Sequence, residues 1–410
     1  MTKHWAIFID NNSNKTKFIQ DTLGGKATEK LSFLNELKGA LFSKHAVRKL
    51  MDFEDRHDTK TITAKTTQSL KSMSSGEQKK ALLNHLLKQD IDYLLLDNPF
   101  DNLDVSSQIN LSKTLRQKSA HTLLIQIISR KSDLLPFISN YGYLKEEHLL
   151  FYDNLNDLPS TNAIEGYLEK IPEAIQPIHY SEESLIHLNG VTVKYVDKIV
   201  LKNIEWEIKK GEFWQLIGNN GSGKTTILSM LTGENPKGYG QELFLFGKKK
   251  GSGESIWDIK KNIGYFTPSM TDKFGGYHSI EHMLISGIND SVGLYTRPSE
   301  AQLRLAKDWL KLLNLWSKKD TLFNELSMGQ QRLIMTTRAM IKHPLLLILD
   351  EPTAGLDDAS AQLLVSLVNK IARESDTATV FVSHRKEAGL KPDKIYQLEM
   401  SPSGSTGRIL

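Results

Sequence analysis

The chain has 410 residues, 39% hydrophobic and 24% charged, an ordinary globular composition with length for two or three domains. A net charge of +4 is small for that length and neither demands nor excludes a nucleic-acid partner. No cysteine is present, which rules out disulfides and thiol chemistry. No apolar run reaches the length of a membrane span, and the first residues, MTKHWAIFIDNN, lack the apolar core of a secretion signal. A cytoplasmic protein is expected, with any membrane role peripheral, at the inner face, through a separate partner.

Residues 5–10 (WAIFID) read as a strand running into Asn11-Asn12-Ser13-Asn14-Lys15-Thr16. Beside the later IGNNGSGKTT this is the same design, impaired. Lys15 and Thr16 remain, the framing glycines are gone, the turn is one residue shorter, and Asp10 stands where Gly218 stands later. An acidic side chain repels a triphosphate and lost glycines block close backbone approach, so nucleotide here is expected to be weakly held or absent. Residues 27–70 are mixed, with a helical stretch expected near 31–51. Ser74-x-x-Glu77, within MSSGEQKK, is a capping box that opens a helix carrying Leu82, Leu83, Leu86 and Leu87. Residues 91–96 (IDYLLL) predict a buried strand ending in Asp97, followed by Asn98-Pro99-Phe100-Asp101-Asn102-Leu103-Asp104. A helix over 105–118 and a strand over 122–128, ending Ser129-Arg130, complete a βαβ crossover and so a parallel sheet. Residues 146–153 read as a closing strand. Pro159, Pro172 and Pro177 mark 156–183 as a linker between domains at 1–155 and 184–410.

Alternating apolar residues over 185–193 and 199–208 predict an antiparallel strand layer, with Tyr195 in the turn between them. A strand over 213–217 then enters Gly218-Asn219-Asn220-Gly221-Ser222-Gly223-Lys224-Thr225, which fits G-x-x-x-x-G-K-[ST] and precedes a helix. Gly218, Gly221 and Gly223 can adopt positive φ and let backbone N–H groups close around phosphate. The helix points its positive end at the same anion. Lys224 can reach the β- and γ-phosphates and Thr225 can offer its hydroxyl to Mg²⁺. The run Lys248-Lys249-Lys250 reads as a solvated turn. Ser327-x-x-Gln330 is a second capping box, at the head of an apolar-periodic helix. Residues 344–349 (PLLLIL) predict a buried strand ending Asp350-Glu351, and 379–382 a strand ending Ser383-His384. Asp350 is placed to hold Mg²⁺ through its water shell, Glu351 to orient the attacking water, and His384 to hydrogen-bond the γ-phosphate or that water.

Both halves repeat one order of parts, and with this set the sequence resembles the ATP-binding cassette (ABC) ATPases, two nucleotide-binding domains in tandem. Leu326-Ser327-Met328-Gly329-Gln330 looks like the family's signature, and Met73 to Glu77 like a variant of it. LILDEP (347–352) looks like Walker B with Glu351 as catalytic glutamate, Gly355-Leu356-Asp357 like the D-loop, His384 like the switch histidine and Tyr195 like the adenine-stacking residue. The stretch GYGQELFLFGKKKGSGESIWDIKKNIGY further resembles a ModF/PhrA-like branch associated with molybdate transport or photorepair.

The resemblance implies an α/β fold of two P-loop domains: parallel sheet core, helical subdomain, an antiparallel layer in the second, the first truncated. It implies ATP and Mg²⁺ as cofactors and ATP hydrolysis as the reaction. Lys224, Glu351 and His384 would be catalytic, and Thr225 and Asp350 would hold the metal. Nucleotide would be bound by Tyr195, Gly218, Asn219, Asn220, Gly221, Ser222, Gly223, Lys224, Thr225 and Thr226, with Ser74, Gly76 and Glu77 as the facing signature. Ser327, Gly329 and Gln330 would face the impaired pocket. Asn98 and Arg130 replace the first half's catalytic glutamate and switch histidine, and Thr267-Pro268-Ser269 stand where the second half's Q-loop glutamine is expected. The expected roles are the ATPase or regulatory subunit of a transport system with a separate permease, or a soluble nucleotide-gated protein acting on nucleic acid or ribosome. Pairing within one chain and homodimerisation are both open.

Overall fold

In the computed structural model, which describes residues 3–57, 69–73, 75–159, 166–196, 198–274, 278–385 and 387–410, alternating apolar strands and helices build two units of one plan. The first is Met1–Asn162 with Gly355–Asp358, the second Ala163–Ala354 with Ala359–Leu410.

The first unit runs β1 (Trp5–Ile9), α1 (Lys15–Leu23), β2 (Gly39–Phe42), α2 (Lys44–His57), α3 (Ser75–Leu86), β3 (Tyr93–Asp97), α4 (Val105–Lys118), β4 (Leu123–Ile128), β5 (Asn140–Lys145) and β6 (His148–Tyr152). Its sheet has the order β2-β3-β4-β1-β5-β6 and is parallel except for the β5–β6 hairpin. Every residue of β1 and β4 is buried, as befits parallel strands covered on both faces. Ala6 and Phe8 pack on one face with Leu83, Leu94 and Leu115; Trp5, Ile7 and Ile9 pack on the other with Leu31, Leu34 and Leu95. Each large apolar side chain so buried contributes about 1.5–3 kcal/mol.

Two local expectations are corrected here. The stretch near 31–51 is not one helix but a short 3₁₀ segment, Glu29–Glu36, then β2, then α2. Gly39 lies so close on β3 that a Cβ there would stand 2.2 Å from the Tyr93 ring. A four-residue strand between helical pieces leaves no readable period. The closing element is also a hairpin rather than a single strand: β5 pairs in parallel with β1 before the chain turns through Glu146, φ 54°, into β6.

The second unit runs β7 (Ser184–Tyr195), β8 (Lys198–Lys209), β9 (Phe213–Gly218), α5 (Lys224–Leu231), β10 (Leu243–Leu245), β11 (Lys248–Lys249), α6 (Ile256–Lys261), β12 (Ile263–Phe266), α7 (Ile280–Ser286), α8 (Glu300–Leu312), α9 (Met328–Met340), β13 (Leu346–Asp350), α10 (Asp358–Glu374), β14 (Ala378–Val382), β15 (Lys394–Glu399) and β16 (Thr406–Ile409). Its main sheet, β12-β13-β14-β9-β15-β16, repeats the first unit's order position by position. The antiparallel sheet β11-β10-β7-β8 has no counterpart among the described residues of the first unit. Strands β13, β14 and β9 are parallel neighbours, so the loops leaving their carboxyl ends converge, the usual ligand position in an open α/β sheet. Among the described residues no helix is long and apolar enough to cross a membrane.

Candidate nucleotide-binding site

The loop between β9 and α5 has the backbone that its glycines predict, with one difference. Gly221 and Gly223 take φ 80° and 96°, but Gly218 does not enter the left-handed region. What Gly218 provides is room, since a Cβ there would stand 2.6 Å from Ser222 Oγ and 3.1 Å from Leu398. At Gly223 a Cβ would come within 2.5 Å of Leu201 Cδ2. Gly223 is also the N-cap of α5 and offers no side-chain cap. The first-turn N–H groups of α5 therefore have no intrahelical acceptor and face outward with the positive end of the helix. Lys224 folds back, its Nζ donating to the carbonyls of Gly218 at 2.7 Å and Asn219 at 3.2 Å. Thr225 is exposed and Thr226 half-buried. A lysine folded back on the carbonyls of its own loop, beside a glycine cradle that a Cβ would fill, fits a polyphosphate.

The carboxylates follow from β13. Asp350 ends the strand, and Glu351, at φ 51°, is fixed by its N–H donating to Val382 O at 2.9 Å. Burial, helped by the neighbouring Glu351 charge, pushes the Asp350 carboxyl up to about 6. Tyr265, on β12, reaches Asp350 Oδ2 with its hydroxyl at 3.4 Å. Glu351 Oε1 lies 2.9 Å from His384 Nδ1. Burial acts to raise the Glu351 carboxyl, but the His384 hydrogen bond and the nearby positive charges outweigh it and hold the group below its ordinary value. An ionised carboxylate only accepts, so Nδ1 carries the proton. His384 Nε2 is buried and has no hydrogen-bond partner among the described residues. Asp350 and Thr225 would hold Mg²⁺. That ion is commonly bound by one or two carboxylates together with substrate phosphates, so the donor set fits although no cluster of three or more His, Cys, Asp or Glu occurs among the described residues.

The signature turn of the second unit is also built as its sequence predicts. Ser327 is the N-cap of α9 and closes a capping box with Gln330, with distances of 3.3 and 3.4 Å; Gly329 is buried. Ser327 and Gln330 thus bond to each other. Nearby on α9, Arg332 Nη1 holds Thr271 Oγ1 at 2.6 Å and Pro268 O at 3.3 Å, tying α9 to the segment where the Q-loop glutamine is absent. In the first unit Gly76 and Glu77 lie in the first turn of α3, with Gly76 close against Ser107. Ser74, and the capping box expected of it, lies outside the described residues. Buried Lys79 anchors α3 by donating to the carbonyls of Pro99 at 2.8 Å and Asp101 at 2.6 Å.

Other positions differ from expectation. Tyr195 ends β7 rather than lying in the turn; it is 40% exposed, and its hydroxyl accepts from Asn235 Nδ2 at 2.9 Å. Lys248 and Lys249 are exposed, but Lys250 is buried, paired with Glu254 at 3.1 Å and set 4.8 Å from the Tyr239 ring centroid, so the lysine run is not all solvated. Asn98 keeps the backbone of Glu351, with φ 41° and an N–H donating to Ile127 O at 2.9 Å. Its side chain instead accepts from Ser129 N at 3.1 Å and lies 3.2 Å from Ser129 Oγ. The sequence reading missed Tyr265. Its only signal was an aromatic residue on a short strand, IGYF, that nothing local places beside β13.

Comparison with known proteins gives the family. The model of the family described as ABC transporter matches residues 201–354. The Escherichia coli (strain K12) "ABC transporter ATP-binding protein ModF" is 38% identical over 365 residues, 85% of this chain and 74% of its own length. An uncharacterized ABC transporter ATP-binding protein of Schizosaccharomyces pombe is 34% identical over 333 residues, 78% of this chain and 66% of its own length. Among solved structures, that of an archaeal ribosome recycling factor in complex with a ribosomal stalk protein superposes with a TM-score of 0.62 over 99% of this chain and 85% of its own, at 16% identity. At that identity it speaks for the fold alone. The chain belongs to the ABC ATPases, a family of ATP-binding and ATP-hydrolysing proteins, and carries two P-loop units in tandem.

Proposed function

We propose that the chain has one working composite site. Residues 218–226, Asp350, Glu351 and His384 of the domain at 184–410 would meet Ser74, Gly76 and Glu77 of the degenerate domain at 1–155, joined by the linker at 156–183. The observation that most supports a hydrolytic site is the Glu351–His384 pair at 2.9 Å, next to Asp350 and one loop away from Lys224. In this reading Lys224 exchanges its carbonyl partners for β- and γ-phosphate oxygens. The Glu351 carboxylate, held ionised and oriented by His384, positions the attacking water. His384 Nε2 is the ring nitrogen left to donate to the γ-phosphate or to accept from the attacking water. Mg²⁺, when bound by Thr225 and Asp350, would neutralise charge on the phosphates. The signature turn, a helix N-terminus, would supply N–H groups from the far side. Tyr195 would stack on adenine. Ser327, Gly329 and Gln330 would face the impaired loop. ATP would join the two domains and hydrolysis release them.

Replacing Ser74 and Gly76 together is expected to cut steady-state ATPase activity sharply; unchanged turnover would sink the intramolecular arrangement. If specific activity instead rises with protein concentration, two second domains from separate chains form the site.

The physiological role is proposed as the ATPase or regulatory subunit of an ABC transport system, at the cytoplasmic face of the membrane with a separate permease. The relatives' names speak for transport, and a molybdate-type system follows from the resemblance to the ModF/PhrA-like branch alone. Thr267-Pro268-Ser269 in place of the Q-loop glutamine, the residue expected to couple to a membrane partner, favours a second reading: a soluble nucleotide-gated protein acting on nucleic acid or ribosome. Affinity capture with ATP-locked Glu351→Gln protein separates them. A permease among the captured partners supports the first, and ribosomal RNA or DNA the second.

A further inference from the structure

We propose that the impaired loop of the first unit carries its own anion, the Asp10 carboxylate, and takes no nucleotide. Sequence alone casts Asp10 as a repulsive charge in a loop whose lost glycines already block close backbone approach. The geometry gives it a different part. Asp10 Oδ1 accepts the N–H of Asn12 at 2.9 Å and lies 3.0 Å from the Ser13 hydroxyl, while Oδ2 accepts the Tyr143 hydroxyl at 2.8 Å. Burial and this bond push the Tyr143 hydroxyl well above its ordinary range. Three more loop N–H groups are spent as well: Ser13 on Asp10 O at 3.2 Å, Asn14 on Glu146 O at 2.7 Å and Lys15 on Ser13 O at 2.8 Å. The Ser13 hydroxyl also donates to Leu144 O.

Two further groups a phosphate would need are engaged. The Lys15 ammonium, the counterpart of Lys224, is paired with Asp97 at 3.0 Å, the counterpart of Asp350. The start of α1, unlike that of α5, is capped by a side chain, with Asn14 Oδ1 accepting from Lys17 N at 3.2 Å. A nucleotide would have to displace a carboxylate, an ion pair and a cap together, and each group displaced and left unpaired costs about 1–3 kcal/mol. The first unit therefore keeps one loop conformation whether or not ATP is present.

The proposal deepens the single-site reading and depends on it only for the expected count. Equilibrium binding of radiolabelled ATP to the full chain should give one nucleotide per chain, and none in Lys224→Ala. Two per chain in the unsubstituted protein with one retained in Lys224→Ala overturns the proposal and leaves the second-unit site standing. One per chain in both proteins overturns the proposal and the second-unit site with it. An independent measurement uses Asp10 itself. Asp10→Ala should lower Tm by roughly 3–6 °C through three lost acceptor contacts, with Asp10→Asn in between. An Asp10→Ala chain that keeps its Tm and binds a second nucleotide restores simple repulsion and overturns the plug.

Discussion

The loop after β1 and the loop after β9 leave equivalent strands of the same sheet order, yet their polar groups are committed in opposite ways. After β9, glycines at φ 80° and 96° keep the backbone open, no side chain caps the helix start, and the lysine donates to carbonyl oxygens of its own loop. After β1, a carboxylate, a capping asparagine and an ion pair have taken the same groups. The comparison teaches that a phosphate loop is lost by being filled as well as by being broken. The strand scaffold depends on buried apolar side chains, whereas the loop's chemistry depends on a few polar side chains and backbone N–H groups.

The comparison is tested hardest at the carboxylate position. Glu351→Gln should lower ATP turnover by about 10²–10³-fold, measured as phosphate release, with nucleotide still bound. Asn98→Glu should leave turnover within about twofold, since hydrolysis in this reading does not use that position. A marked gain from Asn98→Glu would mean that the first unit is not catalytically silent. At the lysines, Lys224→Ala should abolish measurable ATP binding by fluorescence titration, whereas Lys15→Ala should leave affinity unchanged and cost only about 0.5–1 kcal/mol of stability through its partly exposed pair with Asp97. Equal losses of affinity would collapse the distinction.

Backbone effects should be smaller but still unequal. Gly223→Ala places a Cβ at φ 96° against Leu201 and should destabilise by about 1–3 kcal/mol in chemical denaturation. Asn14→Ala removes only a cap, about 1 kcal/mol. The smallest effect concerns pH. Because the Asp350 carboxyl is raised to about 6, its contribution to stability is fully present below its ordinary value and is lost as pH rises through about 6. Asp350→Asn should therefore raise the nucleotide-free Tm above neutrality, by roughly 1–3 °C, with the gain vanishing in mild acid. A pH-independent gain would point to packing instead of charge.

The phosphate loop, the Asp350-Glu351 strand end, the LSMGQ turn and the tandem repeat were all legible in the sequence. Each is set by neighbouring residues: glycines where positive φ or room is needed, a short polar cap before a helix, an apolar run before an acid. Helix 105–118 was read to the residue for the same reason. The short strand β2 and the β5–β6 hairpin were not read, because their pattern exists only against the strands they pair with.

Tertiary structure alone decided the partners. It set His384 against Glu351 across 33 residues, Tyr265 against Asp350 across 85, and Tyr143 against Asp10 across 133. Backbone conformation answers to local sterics, so residue order reveals it. Whether a carboxylate repels, binds metal or plugs its own loop depends on which distant group the sheet order brings within hydrogen-bond reach, and no local pattern encodes that distance.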